Sequence, residues 1–204
     1  YNQFFKRAFD LSVATVGTIA ISPILLGIAI AIKASSPGPA FYAHRRIGKD
    51  GIYFNCYKFR SMVVDSDRRL QEYLRANPEA AKEWEETHKL KHDPRVTKIG
   101  AFLRKTSLDE LPQLFNVIRG QMSLVGPRPI VDEEFIKYDV FFSDYTMVRP
   151  GMTGLWQTSG RSDTSYSRRV RLDAWYVRNW NIWLDISLLV KTVRVVLSSH
   201  SGAY

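Results

Sequence analysis

Asp109 and Glu110 stand side by side within Arg104-Lys105-Thr106-Ser107-Leu108-Asp109-Glu110-Leu111-Pro112-Gln113, the stretch that carries the most chemistry per residue. A carboxylate can attack a phosphoryl group covalently while magnesium and arginine neutralise its oxygens. Arg104 and Lys105 lie one turn upstream, and Arg128 lies in the turn Gly126-Pro127-Arg128-Pro129. A phosphoanion, two carboxylates and a divalent metal can therefore share one site. The bland alternative is a capping box: Ser107 with Glu110 three residues later reads as a helix start whose side chains only satisfy backbone donors. Asp109 would then add a macrodipole contribution of ~0.3–1 kcal/mol. Both readings stand on these residues alone.

A site of this kind needs elements to hold it. The 204 residues suit one domain, or two very small ones, and 45% hydrophobic with 24% charged excludes global disorder. Lys and Arg number 29 against 20 acidic residues, a net charge of +9 that calls for an anionic partner. The single cysteine, Cys56, excludes a disulfide framework and a cysteine-rich metal cluster.

Leu11 to Ile32, LSVATVGTIAISPILLGIAIAI, runs 22 residues without a charge. As a straight helix it reaches ~33 Å, enough for a hydrocarbon core of ~30 Å. Ser22-Pro23 sits at its middle, where proline removes a backbone hydrogen bond and kinks the helix. Basic residues flank both sides, Lys6 and Arg7 before and Lys33, Arg45, Arg46 and Lys49 after, which keeps both ends in the cytoplasm. The pattern predicts a re-entrant helix-break-helix dipping into one leaflet. A kinked single span and a buried core helix are the alternatives; a signal peptide fits poorly, because no small-residue cleavage site follows.

After the breaker cluster Ser35-Ser36-Pro37-Gly38-Pro39, residues 40–47 and 52–59 read as a β-hairpin closed by Gly48-Lys49-Asp50-Gly51. Residues 66–90 read as two charged surface helices broken at Asn77-Pro78. His88 and His92 have a metal-like spacing of four, but Asp93-Pro94 ends the helix and solvated histidines are the reading. Residues 95–104 form a basic amphipathic stretch. Residues 107–118 should be a helix with Leu111, Leu114, Phe115 and Ile118 on one face, and 131–138 another, with glycine- and proline-rich loops over 120–129 and 149–161. Residues 166–197 should be helical, with Trp175, Tyr176, Trp180 and Trp183 placed at a bilayer interface or in the core. The expected fold is mostly α with a small β-hairpin (α+β): a monotopic membrane protein with residues 1–34 as the re-entrant helix and 35–204 as a cytoplasmic catalytic domain carrying amphipathic interfacial helices.

Seven ordered motifs carry a resemblance: Lys6-Arg7-Ala8-Phe9-Asp10, Ser22-Pro23, Ser35 with Pro37-Gly38-Pro39, Lys58-Phe59-Arg60-Ser61-Met62, Ser107-Leu108-Asp109-Glu110-Leu111-Pro112-Gln113, Gly126-Pro127-Arg128-Pro129, and Arg149-Pro150-Gly151-Met152-Thr153-Gly154. Together they resemble the bacterial sugar transferases, the monotopic polyprenyl-phosphate hexose-1-phosphate transferases, over essentially the whole chain. Trp156-Gln157, Ser159-Gly160-Arg161, Trp175-Tyr176 and Gly202-Ala203-Tyr204 are similar to the galactose-transferring branch.

The resemblance implies transfer of hexose-1-phosphate, galactose or glucose, from a UDP-sugar to undecaprenyl phosphate at the cytoplasmic face of the bacterial inner membrane. UMP is released, and surface polysaccharide synthesis begins. It implies Asp109 as nucleophile, Glu110 beside it holding Mg2+, and Arg104 and Arg128 on phosphates, with Lys58, Arg60, Arg149 and Arg161 as further nucleotide or lipid-phosphate ligands. It also implies extra N-terminal membrane helices, so that a chain opening on Tyr1 is expected to be part of a longer protein. A homodimer is expected from the apolar aromatic tail. The rival reading is a non-catalytic basic membrane-anchored scaffold. Nucleic acid is set aside as a partner, because no binding motif is present and the uncharged run sits badly with it.

Overall fold

The computed structural model describes residues 3–87, 90–159 and 164–197. One long helix, α1 (Gln3–Ser35), opens the fold. It is followed by the antiparallel hairpin β1 (Phe41–Ile47) and β2 (Tyr53–Phe59), with Phe41 opposite Phe59 and Ile47 opposite Tyr53. The hairpin turn is a single 3-10 turn, Lys49–Gly51, with Asp50 and Gly51 at positive φ. Two charged helices follow, α2 (Ser66–Ala76) and α3 (Pro78–Thr87), divided at Asn77-Pro78 as the sequence predicts. Proline at the first turn of α3 replaces an amide that would have had no partner.

The middle of the chain is a series of short pieces: α4 (Lys98–Thr106), a 3-10 turn over Leu108–Glu110, α5 (Gln113–Ile118), β3 (Ser123–Val125), α6 (Asp132–Tyr138), α7 (Phe142–Thr146) and β4 (Gly151–Thr153). β3 and β4 pair in parallel inside the two segments expected to be loops. Glycine makes this possible, since a Cβ on Gly151 would strike the backbone of Gly126. The expected terminal helix is two, α8 (Tyr166–Arg178) and α9 (Ile182–Leu197), parted at 179–181.

α1 is the element among the described residues that is long and apolar enough to cross a bilayer. The expected break is not an interruption: Ser22-Pro23 lies inside continuous helix. Pro23 cannot donate to the carbonyl of Ile19, and the Ser22 hydroxyl donates to it instead at 2.8 Å. That substitution satisfies the acceptor that proline orphans.

Both ends of α1 are fastened to the same body. At its start, buried Lys6 pairs with Asp185 of α9 at 2.6 Å and with Asp10 at 3.1 Å. Arg7 donates to the carbonyls of Val117 and Ile118, capping the end of α5. Asp10 accepts from the amide of Leu124, while Tyr176 and Trp180 donate to Asp185, so the buried carboxylates are paired. At its far end, Leu25 and Ile32 pack with Ala40, Phe59 and Leu103. The main core joins Ala14 of α1 to Phe54, Leu114, Val117, Met122, Val125, Tyr176 and Leu188. Between these anchors Val13, Val16, Ile19, Ile24, Leu26 and Ile30 face outward, and so do Trp183, Ile186, Val190 and Val193 of α9. The terminal aromatics divide: Tyr176 is core, whereas Trp175 and Trp183 are exposed.

Candidate active site

The acidic pair is held by a sharp corner. Ser107 takes a left-handed backbone, φ 56°, and turns the chain from α4 into the 3-10 turn that carries Asp109 and Glu110. The capping-box reading fails, because the Ser107 side chain caps nothing there and the Glu110 carboxylate turns to the Lys58 ammonium at 2.6 Å. α5, which follows the turn, is pinned to the hairpin by Asn116. This buried amide donates to the Asn55 carbonyl at 2.7 Å and to Gln121 at 2.8 Å, and accepts from the Tyr57 amide at 3.0 Å. Asn116 thereby fixes the acidic turn against the strand that bears Lys58.

Asp109, Glu110 and Lys58 open on one large cleft of about 1550 Å3. Ten Lys and Arg line it against four Asp and Glu, so it is built for anions. Asp109 is 9% exposed. Burial pushes its carboxyl above the ordinary range, as does the neighbouring Glu110, against the opposing pull of Lys58 and Arg104. Glu110 goes the other way: burial raises it, but Lys58, Arg128, the hydrogen bond from Lys58 and Arg46 together hold it below the usual range. The proton affinities of the two neighbours are thus driven apart, that of Asp109 upward and that of Glu110 downward.

Of the basic residues singled out in the sequence, Lys58, Arg104 and Arg128 come together around the pair. Arg104 donates through Nε to Ser61 Oγ at 2.9 Å. Gly100 permits this, since a Cβ there would collide with the Ser61 backbone. Arg60 borders the cleft, but its guanidinium is committed to Pro37 O at 2.6 Å and to Ser36 O and Oγ at 2.8 and 2.9 Å, closing the turn after α1. Arg149 is not among the cleft-lining residues; its Nε donates to Gly120 O at 2.6 Å. Arg161 lies outside the described residues, as does His88. His92 lines the cleft, and no group of three metal-ligating side chains occurs among the described residues.

Sequence reasoning missed His44, Arg46, Trp156 and Arg169, all on the cleft wall. The first two were within reach. In the hairpin register Tyr42 faces Lys58, His44 faces Cys56 and Arg46 faces Phe54, so strand alternation starting from Lys58 puts His44 and Arg46 on the same face. Trp156 and Arg169 meet only through tertiary packing. Arg169 lies 4.6 Å from the Trp156 ring centre and Arg128 lies 5.9 Å from it.

Two carboxylates on one turn supply hard oxygen donors of the kind magnesium takes, and magnesium needs few protein ligands when phosphate oxygens complete its shell.

The bacterial sugar transferase family matches residues 1–199. The chain belongs to that family. It is 53% identical to the UDP-galactose-lipid carrier transferase of Erwinia amylovora and 52% identical to the undecaprenyl-phosphate galactose phosphotransferase of Salmonella typhimurium. Each match takes in all of this chain and 42% of the relative. It is 51% identical to the exopolysaccharide production protein ExoY of Sinorhizobium fredii, over 98% of this chain and 88% of that protein. The chain therefore spans about two fifths of the first two relatives. The matched region holds the cleft, the acidic turn and the long apolar helix together.

Proposed function

We propose that the chain transfers hexose-1-phosphate from a UDP-sugar to undecaprenyl phosphate and releases UMP. The observation that carries this reading is an adjacent carboxylate pair, one buried and one ion-paired, facing a strongly basic cleft in a member of this family. The relatives' names supply UDP-galactose and undecaprenyl phosphate as the substrate classes.

An Asp109 carboxylate oxygen attacks the sugar-bearing phosphorus of the donor. The bond from that phosphorus to the bridging oxygen breaks, and UMP leaves with the oxygen and its electron pair. The resulting phosphosugar-aspartate is then attacked at phosphorus by an oxygen of undecaprenyl phosphate, and the Asp109 carboxylate departs. Arg104 and Arg128 bind phosphate oxygens, while Lys58 keeps Glu110 ionised beside the nucleophile. Asp109 and Glu110 are the residues that would hold Mg2+, which when bound neutralises phosphate charge.

The fold serves the same chemistry. Both ends of α1 are tied to the same body. We take both ends to lie on the cytoplasmic face with the cleft at headgroup level, as a re-entrant helix requires, and the bend this needs falls at Ser22-Pro23, where proline removes a backbone hydrogen bond from the helix. Residues 35–204 then form the catalytic domain, and the exposed stripes of α1 and α9 meet lipid. A homodimer remains part of the proposal, through apolar surface that lipid does not cover.

The deciding experiment offers a panel of UDP-sugars with undecaprenyl phosphate and follows UMP. UDP-galactose or UDP-glucose should turn over, EDTA should stop the reaction and magnesium restore it. A chain that releases no UMP with any donor is a scaffold instead.

A further inference from the structure

We propose that Arg46, Arg128 and Arg169 form one phosphate cradle that holds the phosphate of UMP and, once UMP has left, the phosphate of the lipid acceptor. The inference rests on the covalent route above and adds Arg46 and Arg169 to it.

Displacement at phosphorus places the arriving and departing oxygens roughly in line, on opposite sides of the phosphorus. In the first step Asp109 arrives, so the UMP phosphate lies across from it. In the second step Asp109 departs, so the lipid phosphate must arrive from the side opposite Asp109, the place UMP vacated. A single anion position therefore serves two substrates in turn, and both present the same chemistry there, a phosphate monoester.

The cleft offers two groups of cations. Arg104 acts on Asp109, and Lys58 acts on both carboxylates through its ion pair with Glu110 at 2.6 Å. Arg128 and Arg46 act on Glu110 and on each other. Arg169 joins this group through buried Trp156, with Arg169 and Arg128 both against the ring, while Arg169 Nε donates to Thr164 O at 2.9 Å and fixes where the guanidinium stands. Arg46 donates to Pro129 O at 3.3 Å, within the turn that bears Arg128. The nearest carboxylate to Arg46, Glu134, stands at 3.7 Å, too long for a hydrogen bond. Burial and then the charge of Arg128 push the Arg46 guanidinium below its ordinary pKa. Cations crowded in a partly buried wall are held for an anion that relieves them, and the buried tryptophan makes the cradle preformed.

The test uses binding alone. The protein in nanodiscs is titrated with UMP and, separately, with a short polyprenyl phosphate, and each titration is repeated in the presence of the other. The cradle predicts mutual exclusion, with the apparent Kd of each rising in proportion to the other's concentration. Arg46→Lys and Arg169→Lys retain charge but lose the fork, and each should weaken both ligands by the same factor, about tenfold. Simultaneous binding overturns the cradle, and so does a folded variant that weakens only one ligand. If a variant does not fold, the wild-type competition decides. The underlying route is tested apart, by exchange of labelled UMP into UDP-sugar without lipid; its failure would remove the aspartate intermediate but leave the competition readable.

Discussion

Asp173 of α8 is buried, with the hydroxyl of the cleft-lining Tyr138 donating to its Oδ2 at 2.8 Å. Burial pushes its carboxyl up to about 7, against the opposing effect of that hydrogen bond and of the backbone and charge of Arg128. An unfolded aspartate titrates near 3.9. Between these values the folded chain keeps a proton that the unfolded chain has released, so stability falls as pH rises through the window and levels off above it. A gap of about 3 pH units at ~1.36 kcal/mol each gives a loss of about 4 kcal/mol, of which roughly 2.5 lies between about pH 5 and about pH 8. Asp173→Asn keeps an acceptor for Tyr138 and never ionises. Chemical denaturation in mild detergent from about pH 5 to about pH 8 should show the wild type losing that amount relative to the variant. Parallel curves for the two proteins would refute the reasoning.

Other perturbations have definite expected outcomes. Lys6→Met leaves Asp10 and Asp185 facing each other in a buried site and should cost about 3–5 kcal/mol, read as the thermal midpoint; a loss below ~1 kcal/mol would mean the knot is not what fastens α1. Asn116→Leu keeps the branched shape but abandons the Asn55 carbonyl and the Tyr57 amide, and should cost about 2–4 kcal/mol and lower kcat more than it raises KM, since the acidic turn loosens from Lys58; unchanged kcat per folded molecule would contradict that. Gly100→Ala forces α4 off Ser61 at about 1–3 kcal/mol and should raise KM for the UDP-sugar through displaced Arg104, which steady-state kinetics will show or deny.

Much of this molecule is legible in its residues, for identifiable reasons. The hairpin is announced by aromatic runs around a glycine-flanked turn, and the α2–α3 division by Asn77-Pro78. The paired strands β3 and β4 are not, because three residues carry no readable period and their pairing depends on close approach of two glycines. Ser22-Pro23 reads as a break, yet a hydroxyl can occupy the carbonyl that proline orphans, and local spacing does not reveal that exchange. At the site, Arg104 and Arg128 are legible beside the acidic pair from residue type, whereas Lys58 follows only from the family resemblance, because its strand lies about fifty residues away in the chain. Arg60 and Arg149 donate to peptide carbonyls, because an arginine beside a glycine- or proline-rich turn serves those as readily as phosphates, and residue type alone does not separate the two uses. Arg169 and Trp156 sit on α8 and in the turn after β4, and only the packed structure makes them neighbours.

Intact-mass analysis after mixing with UDP-sugar in the absence of lipid tests the covalent route most directly. The wild type should gain the mass of one hexose phosphate, the gain should vanish on adding undecaprenyl phosphate, and Asp109→Asn should never show it. An adduct that persists in Asp109→Asn, or a wild type that turns over without forming one, would contradict the assignment of Asp109 as nucleophile.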